Sequence, residues 1–124
     1  MTAHTYSDTE IADLLDESKT SLDDLYRTFA ASMPGNEGFG SDAVAKAKAA
    51  LQNLMGRIRR DLCPRLAEPR YRQLIDGGTS ADAISLVAVL ASLVSSLGLA
   101  LNSTLVAVLL VRMGLRTVCP NTLS

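Results

Sequence analysis

Tryptophan is absent from this chain, histidine occurs once, cysteine twice, and aromatic residues make up only 4% of the 124 positions. Each shortage removes a class of function. A general base or metal ligand needs a fixed position and an orienting partner, and His4, close to the first residue, has neither in prospect. The Glu-x-x-His pairs with which helical bundles hold two metal ions do not occur. Cys63 and Cys119 stand in no metal-binding or redox spacing, and no histidine is placed to activate either as a nucleophile. In principle the two can meet in space and form a disulfide. The expectation is buried structural cysteine, kept as reduced thiols in a cytoplasmic protein because no signal segment opens the chain. With so few rings, Leu, Val, Ala and Ile must fill the core.

Charge is missing from one long stretch. Ala83 to Val111 reads AISLVAVLASLVSSLGLALNSTLVAVLLV, with nothing more polar than Ser, Thr and one Asn. A run of about 18 or more uncharged apolar residues is a candidate membrane span. Its punctuation argues for a hairpin instead. Gly98 suits a helix C-terminus and Asn102 or Ser103 an N-cap, which predicts one helix over about 81–97 and a second over about 103–113. Thr79 or Ser80, with Asp82 in the first turn, is a start signal of the kind found in soluble helices. Small residues recur at Ser85, Ala88, Ser92 and Ser96, and again at Ser103 and Ala107. That spacing predicts close antiparallel packing of the two helices on their small faces. Arginines before and after the run fit a hairpin with both ends in the cytoplasm, so a membrane hairpin stands as the alternative. Without Trp or Tyr at either edge there is no interfacial belt. The amphipathic helices upstream also need an apolar partner, which favours a soluble bundle.

Those upstream helices are read from their periodicity. Ser7 and Glu10 fit a capping box. Ile11, Leu14, Leu15, Ser18, Leu22, Leu25 and Phe29 then predict one helix over about 8–32, with Ser18 at a close helix contact and Asp23 spaced to pair with Arg27. Met33-Pro34-Gly35 stops it. The loop 35–40 leads to Ser41 as cap of a helix over about 42–62, whose stripe is Val44, Ala47, Leu51, Leu54, Met55, Ile58 and Leu62. Pro64 ends it. A short helix within 65–76 turns Tyr71, Leu74 and Ile75 inward. Gly114 ends the last helix, and Val118 and Cys119 pack back. The glycines at 35, 38 and 40 look like a phosphate cradle, but no Gly-Lys-Ser/Thr ending and no strand accompany them, and Asp42 would occupy the anion's place.

Charge is separated along the chain. Residues 1–24 carry seven acids and one lysine, and residues 46–72 carry eight bases and two acids, within a total of −1. The acidic surface is Asp13, Asp16, Glu17, Asp23 and Asp24. The basic one is Lys46, Lys48, Arg57, Arg59, Arg60, Arg65, Arg70 and Arg72. Either the two edges attract within the molecule, at about 0–1 kcal/mol per exposed pair, or each faces a partner or a second copy. The segment 57–72 also suggests weak nucleic-acid binding, with Tyr71 as its one stacking ring; no recognised binding motif supports it and the acidic helix opposes it.

The reading is thus an all-α protein, a compact bundle of four to five helices with a C-terminal apolar hairpin at 83–111, forming one domain over 1–124 with flexible ends at 1–6 and 120–124. No catalytic, cofactor-binding or metal-binding residue is assigned. The expected role is a small non-enzymatic interaction or assembly module in the cytoplasm, an adaptor or subunit that binds a protein partner or itself.

Overall fold

The computed structural model describes residues 6–33, 42–98 and 101–120. His4, the glycine loop 35–40, the Ser41 cap and most of both ends expected to be flexible lie outside the described residues. Among those described there are eight helices and no strand. They are α1 (Asp8–Leu15), α2 (Leu22–Ser32), α3 (Ala43–Asp61), α4 (Cys63–Leu66), α5 (Pro69–Gly77), α6 (Ser80–Ser95), α7 (Ser103–Met113) and α8 (Leu115–Val118). The all-α fold with a C-terminal apolar hairpin is therefore as the sequence implies.

The first long helix is not one helix. Its start is: the Ser7 hydroxyl accepts from the Glu10 N–H while the Glu10 carboxylate accepts from the Ser7 N–H, closing the capping box. At Asp16 the chain leaves helical geometry, with φ −84° and ψ 114°. The Asp16 carboxylate takes hydrogen bonds from the Ser18 N–H and hydroxyl at 2.9 and 2.7 Å, a local turn that competes with the helix ladder. Ser21 then caps α2 by accepting from the Asp24 N–H. Ser18, expected at a close helix contact, is therefore exposed in the α1–α2 connection. Leu22, counted in the apolar stripe, is 41% exposed because it opens α2 just beyond its cap. Arg27 pairs with Asp24 at 3.2 Å and not with Asp23.

The hairpin forms as expected, and α7 is its buried arm. Six consecutive residues, Leu105 to Leu110, are 0% exposed, as a helix surrounded on all sides requires. Asn102 caps it by accepting from the Leu105 N–H. The turn holds Gly98 at φ 70°, in the left-handed region that glycine adopts without steric cost. Helices α6, α1 and α2 pack around α7, α3 packs on α2, and α5 lies on α6. One apolar cluster runs from Ile11 to Cys119. No described helix is long and apolar enough to cross a membrane.

The packing seam of the hairpin differs from expectation. Ser85, Ala88, Ser92 and Ser96 are all exposed, while Leu86, Val87, Leu90, Leu93 and Val94 are buried. The small residues form the solvent face of α6, and the large ones meet α7. Burying the branched side chains removes far more apolar area from water, so they take the inner face. Only Ala107, on α7, is a small residue buried as foreseen.

A second departure is covalent. Cys63 and Cys119 form a disulfide, with Cα atoms 5.6 Å apart. Both are 2% exposed, so the expected burial holds and the expected free thiols do not. The two ends meet because α8 folds back over the α3–α4 junction.

Candidate interaction surface

Every charged residue singled out from the sequence and described here reaches the surface, and none is buried. The acidic group spans the break between α1 and α2. Asp13 stands on the last turn of α1, Asp16 is its C-cap, Glu17 lies in the connection, and Asp23 and Asp24 occupy the first turn of α2, where carboxylates suit the positive helix end. The Asp16 carboxyl is held below the usual carboxylate range, first by the Ser18 hydroxyl and then by the Ser18 N–H.

The basic group does not form one patch. Lys46 and Lys48 lie in the first half of α3, where Lys46 pairs with Asp42 at 3.5 Å and Lys48 sits 5.4 Å above the Tyr26 ring. Arg57, Arg59 and Arg60 lie further along the helix, about 14–21 Å away at about 1.5 Å per residue. Arg65 follows on α4, and Arg70 and Arg72 on α5.

Several of these cations are already engaged. The Arg57 guanidinium donates to the Leu97 carbonyl at 2.9 Å and lies 3.6 Å from Asp61. Arg59 Nε donates to the Val118 carbonyl at 3.1 Å. Arg60 pairs with Asp61, whose carboxyl it holds below its ordinary range. Arg70 pairs with Glu68 and covers the Tyr71 ring at 4.6 Å, so the ring expected to stack on nucleic acid has one face taken. Arg65 and Arg72 are exposed, and neither appears in an ion pair between described residues. Arg72 borders a shallow groove with Gln73 and Asp76.

Between described residues, no ion pair joins the acidic segment to the basic one. Apart from Arg116 with Asp76, each pair links positions at most six apart in sequence. The neighbouring helices α2 and α3 thus carry opposite charge without neutralising each other.

Sequence patterns missed one cation altogether. Arg112, at the end of the apolar run, sends Nη1 to the Leu14 carbonyl at 3.2 Å and to the Thr20 carbonyl at 2.7 Å. It ties the last turn of α1 and the connection before α2 to the end of α7. An arginine closing an uncharged helix must find acceptors somewhere, but their location is a tertiary fact.

A cleft of about 380 Å³ opens between α1 and the N-terminus of α6, bordered by Leu15, Asp16, Lys19, Thr79 and Ile84. Its one cation, Lys19, is paired with Asp13 at 3.1 Å. No group of His, Cys, Asp or Glu among the described residues is placed to hold a metal ion. No protein-family model, curated protein or solved structure matches this chain.

Proposed function

We propose that this protein is a small non-enzymatic helical interaction module, associating with a protein partner, in the first instance a second copy of itself, through opposed charge surfaces. One observation carries the reading: among the described residues no ion pair joins the acidic α1–α2 surface to the bases of α3–α5, and Arg65 and Arg72 stand exposed outside any ion pair, although α2 and α3 are neighbours. Matched surfaces of this kind steer encounter and fix register. An acidic face on one copy meeting a basic face on the next is a head-to-tail contact. The expectation of a cytoplasmic location carried reduced thiols with it, and the bonded cysteine pair gives that expectation no support, since disulfides persist best in oxidising surroundings.

The test is the size of the purified protein against salt. Screening shortens from about 10 Å at 0.1 M to about 3 Å at 1 M salt, so association present at the lower concentration should be lost at the higher. Arg65→Glu with Arg72→Glu should abolish it without loss of helix content. A monomer at every salt concentration, or an assembly indifferent to the double reversal, refutes the proposal. Arg59 is unsuitable for this purpose, because its side chain holds the Val118 carbonyl.

A further inference from the structure

Helix α8 is one turn long and leaves α7 through Gly114, whose φ of 94° makes a corner that other residues rarely adopt. A single turn has little stability of its own. Leu115, Val118 and Cys119 are nevertheless buried, at 5%, 1% and 2% exposure. Three ties to three different helices hold the segment down. Arg59 of α3 donates to the Val118 carbonyl, Arg116 pairs with Asp76 of α5, and Cys119 is bonded to Cys63 at the start of α4. The first two are polar contacts open to solvent competition, so the covalent tie decides whether the segment stays docked.

We propose that the Cys63–Cys119 bond is a redox-operated latch. When a dithiol reductant opens it, residues 115–119 swing out on Gly114, exposing the Cys63 thiol and the apolar side chains of Leu115 and Val118, while α1 to α7 stay folded. The chemistry is ordinary exchange. A thiolate of the reductant attacks one Sγ and expels the other; its second thiol then resolves the mixed disulfide. Two electrons and two protons pass to Cys63 and Cys119, and the reductant leaves as its own disulfide. Because both cysteines are 2% exposed, attack must follow a local opening of α8. The Arg59 tie sets how often that happens. It also favours reclosure, since the Val118 carbonyl that Arg59 holds lies 4.0 Å from Cys63 Sγ. This inference stands apart from the charge-driven association above, and its readouts are independent of it.

Trypsin cleavage mapped by mass spectrometry, alongside helix content by circular dichroism, tests the latch. The air-oxidised full chain should resist cutting after Arg112 and Arg116. Reduction with dithiothreitol should accelerate cutting there about tenfold with helix content unchanged, and Cys63→Ser with Cys119→Ser should reproduce the reduced pattern. Arg59→Ala should speed reduction of the wild-type bond several-fold. Loss of helix content with cuts throughout the chain would make the bond a general staple and overturn the proposal. So would unchanged cutting with both thiols free, an unaltered reduction rate in Arg59→Ala, or cysteines that alkylate without any reductant.

Discussion

At the scale of single residues, three arginines do structural work that their count alone conceals. Arg57, Arg59 and Arg112 each donate to a carbonyl at or just beyond the end of another helix, Leu97, Val118 and Leu14 in turn, and Arg112 donates also to Thr20 in the α1–α2 connection. Helix ends leave carbonyls without intrahelical partners, and a guanidinium with five donors can serve two at once. Arg112→Ala should therefore cost about 1–3 kcal/mol, the penalty of leaving part-buried acceptors unmatched, measured as a shift in urea midpoint. A loss under about 0.5 kcal/mol would show that water replaces the side chain. Asp16 makes a pH prediction. Its folded-state pKa lies below the ordinary value of 3.8, so whatever stability it contributes is complete above the unfolded pKa and disappears as pH falls through the folded one. The stability gap between wild type and Asp16→Ala should be flat above about pH 5 and shrink toward about pH 2. A gap independent of pH would remove the carboxylate from the account.

At the scale of helices, the outer face of α6 shows how the uncharged run divides its side chains between solvent and core. Its solvent side is made of Ser85, Ala88, Ser92 and Ser96, while the branched residues point to α7. Ala88→Lys with Ser92→Lys should change stability by less than about 0.5 kcal/mol. Ala107→Leu, at a position with 0% exposure, should cost about 1–3 kcal/mol by overpacking. Thermal or urea unfolding distinguishes the two, and a severe effect of the lysines would restore the small-residue seam. The expected seam failed because the spacing of small residues marks a face without saying which way it turns. The helix expected over 8–32 failed for a different reason. Ile11, Leu14 and Leu15 stay in phase with Leu22, Leu25 and Phe29, so the periodicity runs on across a break. The Ser21 cap with Asp24 three positions later was the available signal. By contrast, α3, the hairpin and the Gly114 stop were legible, since long stripes and helix-ending residues are local features. The disulfide and the arginine ties depend on which distant segments meet, and no local pattern encodes that.

At the scale of the whole molecule, the disulfide closes a loop with a sequence separation of 56 residues. Constraining the unfolded chain to that extent corresponds to about 4 kcal/mol. Reduction should therefore lower the urea midpoint while leaving the body folded at room temperature. The proposed association draws on charges that, among the described residues, form no ion pair between the acidic and basic segments. Mixing two variants tests the proposed head-to-tail recognition. Arg65→Glu with Arg72→Glu leaves only the acidic surface usable; Asp23→Lys with Asp24→Lys leaves only the basic one. Sedimentation velocity at low salt should find each variant monomeric alone and an equimolar mixture forming a capped pair of one copy each. A mixture that stays monomeric while the wild-type chain associates, or variants that still assemble separately, would contradict the account.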